Sequence, residues 1–118
     1  MKPVCLIIGA GAGIGGNVAK KFANEGYHSY LCRRTDEKGL DKLINSITSK
    51  GGSASGSLIN AIEDNSLEEL ILDIEKNIGP IEVVVYNLGA QTGMKSLDQT
   101  THKEFEWGWR IASLGLFR

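Results

Sequence analysis

A chain of 118 residues is the size of one domain and long enough to bury a core. Its 42% hydrophobic and 23% charged residues argue against a disordered or fibrous chain, and a net charge of −1 without a basic run argues against a nucleic-acid partner. No stretch approaches the roughly 20 apolar residues of a membrane span, and VCLII is too short for a signal-peptide core, so a cytoplasmic protein with no membrane partner is expected.

Val4 to Ile8, VCLII, is a short unbroken apolar run, as expected of a strand buried on both faces. Residues 14 to 25 follow as a helix, with Ile14, Val18 and Phe22 on one face beside Ala19 and Ala23, ended by Gly26. Ser29 to Cys32 reads as a second strand. Leu40, Leu43, Ile44 and Ile47 mark a second amphipathic helix, closed by Gly51 and Gly52. Residues 53 to 60, SASGSLIN, are expected as a third strand despite their low hydrophobic content. Ser66 to Glu69 has the spacing of a capping box ahead of a helix striped by Leu67, Leu70, Ile71, Ile74 and Ile78. Gly79-Pro80 stops that helix, and IEVVVY, residues 81 to 86, is the clearest strand of the chain. Thr101 and Glu104 form a second capping-box pattern, opening a last helix through Phe105, Trp109, Ala112 and Leu116.

The order β-α-β-α-β-α-β-α implies an α/β fold, a parallel sheet with helices on both faces. Cys5 opens the first strand and Cys32 closes the second, at opposite ends of such a sheet. They are expected as two separate buried thiols, not a disulfide or a zinc site. His28 and His102 have no acidic or cysteine partners at ligand spacing, so no metal site is expected.

Four glycines in GAGAGIG, residues 9 to 15, lie between the first strand and its helix. A helix start presents unpaired N–H groups and a positive dipole end, and glycines let a phosphate approach the backbone. Gly11-x-Gly13-x-x-Gly16 fits the general dinucleotide fingerprint. The spacing Gly9-x-x-x-Gly13-x-Gly15 begins directly after Ile8, where the turn must start, and is preferred.

That glycine spacing, together with Tyr86-Asn87-Leu88-Gly89-Ala90 after the fourth strand, resembles the short-chain dehydrogenase/reductase family. Asn87, Gly89 and Ala90 match the family's Asn-Asn-Ala-Gly element, while Tyr86 and Leu88 depart from it. The resemblance covers the whole chain. It implies a Rossmann-type doubly wound sheet, present as the N-terminal, NAD(P)-binding half over 1–118 and truncated after the fourth helix. It also implies an oxidoreductase acting on a small carbonyl or alcohol.

The glycine loop (Gly9, Gly11, Ala12, Gly13, Ile14, Gly15) would then hold the pyrophosphate. Asn60, where the family has an aspartate, would meet the adenine with Ala61, and Asn87, Leu88, Gly89 and Ala90 would face the nicotinamide-side ribose. At the end of the second strand Arg33 and Arg34 suit the 2′-phosphate of NADP, so NADP is favoured over NAD. Asp36 and Glu37 would serve a bare ribose hydroxyl if their loop folds back.

The family's relay is Tyr-x-x-x-Lys with an upstream serine, and none of Tyr27, Tyr30 and Tyr86 has lysine four residues later. Matching Ile111 to Phe117 with the family's Val-Asn-x-x-Gly-x-Phe puts Ala112 at the relay asparagine, with Ser113 beside it. No catalytic residue is therefore expected in the chain, and a non-catalytic dinucleotide-binding or sensing protein is the alternative. A flavodoxin-like signalling domain would fit the β-α alternation but needs neither the arginine pair nor the Asn-x-Gly element. The last helix packs against a second subunit in the family, with Trp107 the expected interface residue and Trp109 either an interface or a core one. In the sheet order 3-2-1-4-5 the strand at 81–86 would lack its outer neighbour, so the isolated chain is expected to be marginal and self-associating.

Overall fold

The structure is a computed structural model that describes residues 1–11, 13–61, 63–88 and 96–117. Four parallel strands, β1 (Val4–Ile8), β2 (His28–Arg33), β3 (Ser53–Leu58) and β4 (Ile81–Tyr86), form one sheet in the order β3-β2-β1-β4. Each crossover is a helix: α1 (Ile14–Asn24), α2 (Glu37–Thr48) and α3 (Ser66–Asn77). No described helix is long and apolar enough to cross a membrane.

β1 is buried at all five positions because it is central and covered on both sides. Its alternate side chains feed two cores. Cys5 and Ile7 face α1 and α2, packing with Ala19, Leu31, Leu43 and Ile47. Val4, Leu6 and Ile8 face α3, packing with Tyr30, Cys32, Leu67 and Ile74. Each such leucine or isoleucine contributes about 1.5–3 kcal/mol when fully buried.

The face of α1 differs from the expected stripe. Ile14 is 72% exposed and Val18 and Phe22 are only partly buried, while Gly15, Gly16, Ala19 and Ala23 are buried. Small residues let this helix lie close against β1 and the glycine loop, which larger side chains would hold apart. The expected capping box at Ser66 is also absent. Asn65 precedes the helix instead, and the Ser66 hydroxyl donates to the carbonyls of Asn60 (2.8 Å) and Glu63 (3.0 Å). That bond ties the start of α3 to the residue just past β3.

The strand of low hydrophobicity forms over Ser53–Leu58, ending two residues before its expected limit. Its serines find partners on β2. The two ring nitrogens of His28 pair with the hydroxyls of Ser53 (2.5 Å) and Ser55 (2.8 Å), and the Tyr30 hydroxyl donates to Ser57 (3.1 Å). Cross-strand hydrogen bonds thus replace the apolar pairing usual in such a sheet.

The second capping box forms as expected. The Glu104 N–H donates to Thr101 Oγ1 (3.1 Å) and the Thr101 N–H to the Glu104 carboxylate (3.4 Å), opening α4 (His102–Trp109). The helix continues through a π-helical turn, Arg110–Leu114, into α5 (Gly115–Phe117). Phe105, Trp109 and Leu116 are all exposed, at 67%, 50% and 59%. Trp109 is therefore not a core residue among the described ones.

Among the described residues β4 is one edge of the sheet, opposite β3, and Val84 on it is 53% exposed. A β-branched, proline-free edge with one charge templates pairing with another chain. The 118-residue polypeptide is expected to self-associate through β4, seen as light scattering that rises with concentration. A monodisperse monomer melting cooperatively above about 55 °C, as complete mesophilic domains do, would contradict this.

Candidate functional site

The glycine loop is built by close backbone approaches. Gly9 ends β1 with φ +97°, and a Cβ there would collide with the Asn87 carbonyl oxygen. Asn87 locks the same turn from β4. Its N–H donates to the Ile8 carbonyl (2.8 Å) and its Nδ2 to the Gly9 carbonyl (3.3 Å). A Cβ on Gly16 would meet the Gly11 carbonyl, so α1 can begin where it does only with glycine there. Gly15 likewise packs on the Gly9 carbonyl. Thus Gly9, Gly15 and Gly16 all answer to the fold. Sequence reasoning left Gly16 out of the site by preferring the register that ends at Gly15.

Gly11 and Gly13 differ, since a Cβ on either meets nothing within 4 Å among the described residues. Bare backbone there leaves room for a ligand. α1 starts at this opening with no side-chain cap on Gly13 and no acidic residue in its first turn. α2 and α4, by contrast, are capped by Asp36 and Thr101. The first N–H groups and the positive end of the α1 dipole therefore face the loop, which suits an anion such as a pyrophosphate.

Beside the loop, at the carboxyl ends of the strands, lies a cavity of about 230 Å³. Ile8 and Gly9 line it from β1, Arg33 and Arg34 from the end of β2, Ile59, Asn60 and Ala61 from beyond β3, and Leu88 from beyond β4. Six expected residues thus share one pocket: Gly9, Arg33, Arg34, Asn60, Ala61 and Leu88. Apolar walls with polar groups at the rim suit a heteroaromatic base joined to a phosphorylated sugar. Ala12, Gly89 and Ala90 lie outside the described residues.

The two arginines have different surroundings. Arg33 pairs with the Asp36 carboxylate (3.5 Å). Asp36 itself caps α2, accepting the Gly39 N–H (3.0 Å) with φ +66°. Arg34 is exposed and its guanidinium lies over the Trp107 ring, 5.7 Å from the centroid. Trp107 therefore lines the pocket, and the residue is 39% exposed. The pocket also includes Ile111, one turn further on. Neither was expected in the site, although Ile111 stands at the valine of the motif that gave Ala112.

Ala112 and Ser113 are exposed on the π-helical turn, and the Tyr86 hydroxyl donates to the Ile111 carbonyl within it. Tyr86, a departure from the family's motif, thus anchors α4 to the end of β4.

The family model described as short chain dehydrogenase matches residues 3–118. The chain belongs to the short-chain dehydrogenase/reductase family. It is 27% identical over 114 residues to the 2,3-dihydro-2,3-dihydroxybenzoate dehydrogenase of Bacillus subtilis, covering 97% of this chain and 43% of that one. A short-chain dehydrogenase from Rhodopseudomonas palustris superposes with a TM-score of 0.88 at 30% identity, over 98% of this chain and 53% of its own. A gluconate 5-dehydrogenase from Burkholderia cenocepacia, solved with NADP and tartrate, gives 0.85 at 26% identity, over 98% and 44%. The chain spans less than half the length of curated relatives that it matches. The family's fold is the Rossmann-type sheet seen here, so the expected fold class holds.

Cys32 lines the same pocket yet is fully buried, as is Cys5. Burial pushes the Cys5 thiol up to about 11 and the Cys32 thiol up to about 12, the latter against a hydrogen bond with Ser57 that lowers it. The thiolate is the reactive form, so neither should react in the folded chain. With a chromogenic disulfide reagent at neutral pH, the native chain is expected to show no fast thiol. Both cysteines should titrate at once in denaturant. Fast native labelling of either would mean that the strand carrying it is not buried.

Proposed function

We propose that residues 1–118 form the dinucleotide-binding half of an oxidoreductase site, with NADP(H) preferred to NAD(H). The observation that carries this is the rim of the pocket, where two guanidiniums stand and the Asp36 carboxylate is already engaged. Its Oδ1 accepts from the Gly39 N–H and its Oδ2 pairs with Arg33, so a ribose hydroxyl would compete with both partners. A 2′-phosphate would instead find charge-assisted donors. The open glycines at 11 and 13 and the uncapped start of α1 fit the pyrophosphate. Asn60 and Ala61 would border the adenine, and Asn87, Leu88, Gly89 and Ala90 the nicotinamide-side ribose. The relative bound to NADP supports the same choice.

When bound, the nicotinamide would supply or take up a hydride, with a small carbonyl or alcohol as the substrate. These residues would bind and orient it. They offer no serine, tyrosine and lysine relay, and Ala112 stands where the family's relay asparagine belongs, so residues 1–118 alone would not turn over. Ala112 also favours the alternative of a non-catalytic dinucleotide-binding or sensing protein. A cytoplasmic homo-oligomer completes the proposal. Its contact would run along the last helix, through Trp107 together with the exposed Phe105, Trp109 and Leu116.

Calorimetry with NADPH and an assay with a panel of ketones and aldehydes test this together. Binding without loss of the reduced nicotinamide's absorbance is expected. Absence of binding would overturn the site, and sustained turnover would mean that a proton donor lies elsewhere in the chain.

A further inference from the structure

We propose that Trp107 is a specificity-determining residue: it holds the Arg34 guanidinium at the pocket mouth, ready for a 2′-phosphate. This rests on the NADP reading above. The two arginines are not equivalent. Arg33 is paired with Asp36, whereas Arg34 has no ion-pair partner among the described residues. Its guanidinium instead lies over the indole face, 5.7 Å from ring centroid to guanidinium carbon.

Stacking and phosphate binding use different parts of a guanidinium. The flat face meets the ring, while the N–H donors lie in the plane and point outward along its edge. Arg34 can therefore stay on Trp107 and still fork two hydrogen bonds to a phosphate. An exposed arginine otherwise samples many rotamers and loses that freedom on binding. A side chain already held loses less, which strengthens binding without any new contact to the ligand.

The placement is specific to the end of the dinucleotide that carries the 2′ group. Trp107 comes from α4 and Arg34 from the loop after β2, and both line the cavity that Asn60 and Ala61 border. The pair spans the mouth from two separate elements. Ile111, one turn beyond Trp107, extends the same wall.

The test uses adenosine 2′,5′-bisphosphate and 5′-AMP, measured by calorimetry on the 118-residue chain. Their affinity ratio isolates the 2′-phosphate and involves no turnover. Wild type is expected to prefer the bisphosphate. Trp107→Leu should lower that preference about threefold, the scale of an exposed cation–π contact. Trp107→Phe, which keeps a weaker ring and the packing of α4, should fall between. In an Arg34→Ala background, Trp107→Leu should leave the ratio unchanged. A preference unmoved by both Trp107 substitutions, or lowered equally without Arg34, overturns the proposal while leaving the NADP reading intact. A wild type that binds both fragments equally overturns the two together.

Discussion

Replacing Arg34 by alanine is expected to weaken NADP(H) binding by about 1.5–3 kcal/mol, the worth of a hydrogen bond to a charged group, roughly 10- to 150-fold in affinity. NAD(H) should bind the variant nearly as it binds wild type, because it has no 2′-phosphate for the lost guanidinium to meet. The difference in surroundings makes Arg34 the better test of the two arginines. Removing Arg33 would also release Asp36, which caps α2, and a freed carboxylate near the pocket would change affinity for both dinucleotides. Arg34→Ala removes the contact with Trp107 and breaks no ion pair among the described residues. Titration of both reduced dinucleotides into both proteins decides. Equal affinities that the substitution leaves alone would remove the basis for an NADP preference.

The second large effect separates two kinds of glycine in one loop. Gly9→Ala is expected to destabilise the chain by about 2–5 kcal/mol, from a left-handed backbone that alanine resists and a collision with the Asn87 carbonyl. Against the roughly 5–15 kcal/mol of a whole domain, that is enough to leave much of the protein unfolded. Gly11→Ala should change stability by no more than about 0.5 kcal/mol, as at an uncrowded surface position, since a Cβ there meets nothing within 4 Å among the described residues. It should nevertheless weaken dinucleotide binding, because the methyl group would occupy the space left for the pyrophosphate. Urea titrations give the stabilities and calorimetry the affinities. A Gly9→Ala variant as stable as wild type would mean that the β1–α1 turn is built differently. A Gly11→Ala variant that binds normally would place the phosphates elsewhere.

Much of the fold was legible along the chain because its signals are local. The apolar run VCLII, the helical stripe of α2 and the Thr101–Glu104 capping box each depend on residues within a few positions of one another. Each appears where it was expected. The alternation of strand and helix then determined a parallel sheet, since right-handed crossovers leave few other ways to pack it. The glycine loop was legible for the same reason: a strand, a glycine cluster and a helix start are adjacent in sequence.

What depended on contacts across the sheet could not be read this way. β3 carries little apolar content, and its pairing rests on hydroxyls that meet His28 and Tyr30, more than 20 residues away. The helix start at Ser66 likewise turned on a distant carbonyl. A hydroxyl that reaches Asn60 ties α3 to the pocket, and no spacing rule within the helix records that bond. At the site, the sequence by itself determined that two arginines stand at the end of β2. Only the tertiary structure decided that Asp36 engages one of them and that Trp107, 73 positions further on, sits beneath the other. Helical periodicity says which residues of α4 share a face. Whether a face meets the pocket or the solvent depends on how the helix docks, and here Tyr86 holds the π-helical turn by the Ile111 carbonyl. That docking brings Trp107 to the pocket mouth and leaves Phe105, Trp109 and Leu116 more exposed.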